Sequence, residues 1–254
     1  MKTSNKAPRF FIEKKLDQQE ILIQDKNIIH QLQKVLRKKT NDEIVLLDGN
    51  GKEFFGTIKE ISKKEIIINR DKITIHESEK YETDDKNILN TNKVILAPSI
   101  LKKDNFELVI QKCTELGIKN IQPIISERTE KDNLNFERLE KISTEASEQS
   151  EKIFLSKIYP TENINKFFKK KSQSKNTKIF ALQFDSPKFN KNSILENSST
   201  DSIEEIIFLV GPEGGWGEVD LELFEKFGVE KISLGKQILR SETASISISA
   251  LLLL

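Results

Sequence analysis

The stretch from Ile206 to Ala244 constrains this chain more than any other. Ile206-Ile-Phe-Leu-Val is five consecutive apolar residues, the pattern of a strand buried on both faces. It runs directly into Gly211-Pro-Glu-Gly-Gly-Trp-Gly, in which four of seven residues are glycine. Glycine supplies positive φ and lets other groups approach the backbone, while Pro212 fixes one φ and stiffens the turn. Val219, Leu221, Leu223, Phe224 and Phe227 then recur at helical spacing up to Gly228, a helix stop. A second short strand, Lys231 to Leu234, enters a second glycine turn at Gly235. A parallel α/β sheet would place both strand-to-glycine junctions at the same edge, where such sheets bind ligands.

The ligand class is narrowed by what the loop lacks. Its glycine spacing matches neither Gly-x-Gly-x-x-Gly nor a Walker loop, and no Lys-Ser/Thr pair follows. Glu213, inside the loop, would repel a pyrophosphate. A cofactor without phosphates that carries a positive centre suits this carboxylate better. A tight turn that only connects strand to helix is the alternative.

Charge adds a second clue through its distribution. The 254 residues carry a formal net charge of only +1, so no global attraction to nucleic acid follows. Residues 1–40, however, hold ten Lys/Arg against four Asp/Glu, and residues 152–191 hold ten against two. Residues 192–254 reverse the balance, four against eleven. Two basic zones suit a partner gripped by its phosphates at chosen places; charge scattered over solvated faces is the plainer alternative. The single cysteine, Cys113, excludes an internal disulfide framework and sits in a helical apolar pattern, so a packed thiol is expected. His30 and His76 lie far apart in sequence, and no metal site is expected. Without a long apolar stretch or a signal-peptide pattern, the chain reads as cytoplasmic, with no membrane partner. Ala250-Leu-Leu-Leu-Leu is expected to end a buried or interface helix that begins near Glu242, and its surplus of apolar residues predicts a homodimer.

The amino-terminal third reads as a small β-barrel. Pro8-Arg-Phe-Phe-Ile alternates as a strand, and Ile28, Ile29, Leu32 and Val35 have helical spacing before the basic run Arg37-Lys-Lys. Glu43-Ile-Val-Leu-Leu, the turn Asp48-Gly-Asn-Gly and Lys52-Glu-Phe-Phe-Gly-Thr-Ile predict a hairpin. Glu65-Ile-Ile-Ile and Lys72-Ile-Thr-Ile-His add two more strands. Arg9 beside Phe10 and Phe11 is a candidate RNA contact; plain surface charge is the alternative for both Arg9 and Arg37. Residues 78–92 are polar and aperiodic, a linker. Lys93-Val-Ile-Leu-Ala-Pro then opens a second domain, followed by a helix capped by Asp104 and stopped by Gly117, a strand over Ile118–Ile125 and a helix over Phe136–Phe154. Strands alternating with helices predict a parallel sheet. Residues 161–204 read as polar loops around one strand, Lys178-Ile-Phe-Ala-Leu.

Gly211-Pro-Glu-Gly-Gly, followed by Leu234-Gly-Lys-Gln-Ile-Leu-Arg-Ser-Glu-Thr-Ala, resembles the SPOUT-type RNA methyltransferases. Within them it is most similar to the branch that methylates ring nitrogen 3 of a uridine in 16S rRNA of the small ribosomal subunit. Arg9-Phe-Phe, His30…Val35-Leu-Arg37, Lys112-Cys-Thr-Glu-Leu-Gly, Ser126-Glu-Arg-Thr and Glu145-Ala-Ser-Glu-Gln-Ser extend the likeness along nearly the whole chain. The resemblance implies a PUA-like RNA-binding barrel over 1–77, the linker over 78–92 and a SPOUT domain over 93–254. That domain would be a parallel sheet with helices on both faces and a deep carboxy-terminal trefoil knot holding S-adenosylmethionine. Leu209, Gly211, Glu213, Gly214, Leu234, Gly235, Ile238 and Leu239 are its expected cofactor residues. Arg240 would stabilise the anion that develops on the base, with Glu213 near the reacting groups and Glu242 orienting Arg240; a plain helix-terminal carboxylate is the other reading of Glu242. Arg9, Arg37, Lys38 and Lys152 are the expected RNA contacts. A SPOUT ribose 2′-O-methyltransferase and a catalytically silent RNA-binding protein remain the rivals. The chain departs from the resembled pattern at Trp216 (Phe), Gly217 (Ser or Thr), Gln237 (Arg), Ser241 (Thr) and Lys152 (Arg).

Overall fold

The structure, a computed structural model, describes residues 7–76, 92–130, 133–171, 176–191 and 203–254. Most of the linker read at 78–92, and most of the polar stretch from Asn190 to Ser202, lie outside the described residues. The chain divides into two compact units. One joins residues 1–81 to 147–155; the other joins 82–146 to 156–254.

The first unit is a five-stranded sheet in the order β1-β3-β4-β5-β2, with β1 (Arg9–Phe11), β2 (Glu20–Ile23), β3 (Glu43–Leu47), β4 (Lys52–Ile61) and β5 (Ile66–Ile75). Only β1 and β3 run parallel. The two strands expected at 65–68 and 72–76 are one. Asn69-Arg70-Asp71 looks like a turn in sequence, but β5 passes through it, and its pairing with β4 shifts register between Phe55 and Gly56. A side chain at Gly56 would collide with the Asn69 carbonyl oxygen, so glycine is what admits the crossing. Strand β2 has no clear signal in its sequence and is held by antiparallel pairing to β5. Helix α1 (Lys26–His30) is capped by Asp25, which accepts from the Asn27 and Ile28 amides at 2.7 and 3.0 Å, and it continues as a π-helical turn, Gln31–Val35.

Strand β3 explains why Glu43-Ile-Val-Leu-Leu does not alternate. Ile44 and Leu46 enter a core with Phe10, Phe54, Ile58 and Ile68. Val45 and Leu47 face the other way, against Ile153, Phe154, Phe11 and Phe55. The segment 147–155 therefore covers one face of a strand that lies far before it in sequence, and Glu148 accepts from the Phe11 amide at 3.0 Å.

The second unit is a six-stranded, all-parallel sheet ordered β13-β11-β12-β6-β7-β9. Its strands are β6 (Val94–Pro98), β7 (Asn120–Ile121), β9 (Lys157–Ile158), β11 (Thr177–Leu182), β12 (Glu205–Val210) and β13 (Glu230–Ile232). The strand expected over 118–125 is broken. Pro123 cannot donate to a ladder, so Ile121 stays in the main sheet while β8 (Ile124–Ile125) pairs with β10 (Glu162–Asn163). Alternate residues of each central strand serve two cores. Val94, Leu96, Ile206, Phe208 and Val210 pack with α2 (Lys103–Leu116), α3 (Phe136–Gln149) and α6 (Ser241–Leu253). Ile95, Ala97, Ile207 and Leu209 pack with α4 (Ile164–Lys171) and α5 (Glu218–Phe227). Helix α4 falls where the sequence predicts a polar loop; three of its eight residues, Ile164, Phe167 and Phe168, are buried, and tertiary packing holds it.

Cys113 meets α6 in the first of these cores. The Ser249 hydroxyl donates to its sulfur at 3.4 Å, and burial pushes the thiol up to about 12. No described helix is long and apolar enough to cross a membrane.

Candidate active site

Three adjacent parallel strands, β13, β11 and β12, end at Ile232, Leu182 and Val210, and all three residues line one cleft of about 620 Å³. This is the carboxyl edge at which open parallel sheets bind ligands, and the volume is that of a small-molecule site. Both glycine turns border it, with the start of α6 and the amino end of α2.

The first turn is built around Trp216. Its indole Nε1 donates to the Leu182 carbonyl at 2.9 Å, and its ring meets Phe224 edge-on with centroids 5.0 Å apart. A Cβ at Gly211 would lie 3.2 Å from that ring, so Gly211 is small for the sake of the protein's own indole. Gly215 has φ +69, which only glycine adopts without strain. At Gly217 a side chain would run into the Glu127 carboxylate, which accepts from the Val219 amide at 2.7 Å. Asp220 reaches back to the Gly217 amide at 3.0 Å and also accepts from the Glu127 amide. These carboxylates fill the capping role of a hydroxyl at position 217. Burial is the first cause raising the Asp220 carboxyl above its ordinary range.

The second turn is fastened to the first. The Ser241 hydroxyl donates to the Gly211 carbonyl at 2.6 Å, which retains a hydroxyl where the resembled pattern has Thr. Ser233 shapes the turn itself, its hydroxyl donating to the Gly235 carbonyl at 2.9 Å.

Of the residues expected at the cofactor, Gly211, Glu213, Leu234, Ile238 and Leu239 line the cleft. Leu209, Gly214 and Gly235 do not. Leu209 is buried within β12, paired with Ala181 and Ala97. Gly214 turns towards Arg128, whose guanidinium donates to its carbonyl at 3.0 Å. Sequence reasoning passed over Leu182, Phe184, Trp216, Ile232 and the pair Lys102 and Asn105. Leu182 and Ile232 were legible in principle as strand ends; Phe184, half exposed on the rim, carried no signal.

Arg240, Glu213 and Glu242 all line the cleft. Arg240 is exposed at the amino end of α6, with no ion-pair partner among the described residues. Glu213 accepts from the Lys102 amide at 3.1 Å, where α2 begins, so the cap expected from Asp104 comes instead from the glycine loop. Glu242 is buried and makes no ion pair with Arg240, so the orienting contact expected between them is absent.

The four candidate RNA residues share the first unit. Arg9 pairs with Glu53 at 2.7 Å and is only 16% exposed, and Glu53 also faces His76 at 2.9 Å. Arg9 is thus committed within the sheet. Arg37 is exposed, with φ 52, beside the exposed Val35 and Leu36. Lys38 is half-buried, and Lys152 enters this unit through segment 147–155.

The chain is similar to known proteins along most of its length. The family model for an RNA methyltransferase domain matches residues 89–253, and that for an RNA methyltransferase PUA domain matches 23–69. Ribosomal RNA small subunit methyltransferase E of Rickettsia conorii is 33% identical over 95% of this chain and 93% of its own length. The chain belongs to the ribosomal RNA small subunit methyltransferase E family. Its fold is therefore SPOUT, preceded by a PUA-like domain. The Bacillus subtilis member is 27% identical, covering 86% of this chain and 84% of its own. A Neisseria gonorrhoeae member solved bound to S-adenosyl methionine superposes with a TM-score of 0.78 at 26% identity, each chain covered to 96%.

Proposed function

We propose that this protein transfers a methyl group from S-adenosylmethionine to ring nitrogen 3 of a uridine in 16S rRNA of the small ribosomal subunit. The cleft carries the reading: one pocket at the carboxyl ends of β11, β12 and β13 gathers both glycine turns and an Arg240 with no ion-pair partner among the described residues. Its residues fit the cofactor. Leu182, Ile232, Leu234 and Leu239 offer an apolar wall for an adenine, and no cluster of cations suits a polyphosphate. When bound, S-adenosylmethionine supplies an electrophilic methyl group on a sulfonium.

The chain's own residues do the rest. Trp216 and the Ser241–Gly211 hydrogen bond hold the two turns in fixed register before any ligand arrives. Uridine nitrogen 3 keeps its proton at neutral pH, so negative charge develops on the base as the proton leaves. Arg240, with no ion-pair partner among the described residues, stabilises that charge. Arg37, Lys38 and Lys152 present positive charge from the PUA-like unit to RNA phosphates.

The reading also comprises the knot, the cytoplasmic location and the homodimer. Leu251 and Leu254 support the dimer, since they leave the apolar end of α6 exposed. The deciding experiment reacts the protein with labelled S-adenosylmethionine and small subunits lacking the modification, then maps the methyl group by mass spectrometry. Label on nitrogen 3 of one uridine is expected. Label on a ribose oxygen would replace this reading with the 2′-O alternative. Light scattering at micromolar protein is expected to give the mass of two chains.

A further inference from the structure

Glu242 stands apart from every other charged group in the cleft. Only 8% of it is exposed, it lines the cleft, and its Oε2 is buried without a hydrogen-bond partner among the described residues. The other charged side chains lining the cleft are Lys102, Glu213 and Arg240. Two are cations, and Glu213 is exposed and already accepts from the Lys102 amide. Glu242 is therefore the one buried carboxylate in this wall with a free oxygen. Folding an acceptor into a protein without a donor is costly, and native chains keep few of them. The position is also an uncapped helix start, since no side chain caps the amino end of α6.

We propose that Glu242 takes the proton from the target base. The proposal rests on the nitrogen-3 reading above. The N3–H proton passes to the Glu242 carboxylate while the N3 electron pair takes the methyl group. The carbon–sulfur bond breaks with its pair left on sulfur, which loses its positive charge. The charge that develops across the base carbonyls is met by Arg240, two residues earlier in the chain. Afterwards Glu242 returns its proton to water. In this arrangement Arg240 and Glu242 act on the same base from the same turn, which accounts for their lying in one cleft without forming an ion pair with each other.

The test compares the parent with Glu242→Gln and Glu242→Asp. It uses single-turnover methylation of undermodified small subunits from pH 6 to 9, with calorimetric affinity for S-adenosylmethionine. Glu242→Gln is expected to transfer at least about 100-fold more slowly at neutral pH, with the residual rate climbing with pH as hydroxide takes over. Its cofactor affinity should stay within about twofold of the parent, and Glu242→Asp should recover part of the rate, because a shorter carboxylate still accepts a proton. A Gln variant at the parent rate overturns the proposal. So does a variant whose only defect is weak cofactor binding, because Glu242 would then hold the cofactor's ammonium. Should Glu242→Gln lose its thermal transition, Glu242→Ala takes its place, and transfer at the parent rate there overturns the assignment. Mapping the methyl group in the same reactions separates the two layers. Label away from nitrogen 3 refutes the substrate reading, whereas label on nitrogen 3 with a fast Gln variant refutes only Glu242.

Discussion

Arg9 and Arg240 look alike in sequence, each following or preceding apolar residues in a motif of the resembled family, yet their surroundings differ. In the PUA-like unit Arg9 is bonded to Glu53, which also faces His76. In the SPOUT unit Arg240 has no ion-pair partner among the described residues. One guanidinium is consumed by the fold; the other is held back from it. The difference teaches that a cation's availability, rather than its type, marks it for chemistry, and availability is a tertiary property.

The comparison is broken or sharpened by substitutions on either side. Arg240→Ala should lower single-turnover transfer by about 10²–10³-fold, the usual loss for a removed charge stabiliser, with RNA affinity in filter binding little changed. Transfer at the parent rate would place Arg240 outside the reaction. Arg9→Ala should instead act on stability. It leaves Glu53 buried with one partner fewer, at a cost of about 2–4 kcal/mol to the first unit in urea unfolding. An unchanged transition, with a shallower salt dependence of RNA binding, would show that Arg9 serves RNA after all.

Smaller effects sharpen the contrast inside the SPOUT unit. Trp216→Phe keeps a ring but loses the donor to the Leu182 carbonyl, and should cost about 1 kcal/mol. A neutral result would mean that the indole hydrogen bond adds nothing to the turn. Asp220 gives the smallest and most specific signal. Its carboxyl is raised in the fold, so the stability it contributes is fully present below the ordinary aspartate range and is lost as pH rises through the raised folded value. Asp220→Asn should remove that decline and flatten thermal stability across the window. A pH profile identical to the parent's would place the titration elsewhere.

What could be read beforehand was local. The strand Ile206–Val210, the stop at Gly228 with φ 65 and the helix from Ser241 each follow from a few neighbouring residues. Glu213, Arg240 and Glu242 were named from motif words alone. What escaped depended on distant partners. The reason for Gly211 is an indole five residues on, and the reason for Gly217 is Glu127, which lies ninety residues away. No pattern in the helical word Ser241-Glu-Thr-Ala tells that Glu242 lacks a donor, because that fact belongs to the packed cleft.

The segment 147–155 bears on how this protein is made. Val45 and Leu47 belong to a strand synthesised early, yet the residues that cover them, Ile153 and Phe154, are added after a hundred more amino acids. On the translating ribosome the first sheet must wait with one apolar face uncovered while α2 and α3 are built. A fragment cut at the linker would carry that face permanently into solution. The protein's two units are thus one unit in biogenesis, and the first is finished only when the second is well under way.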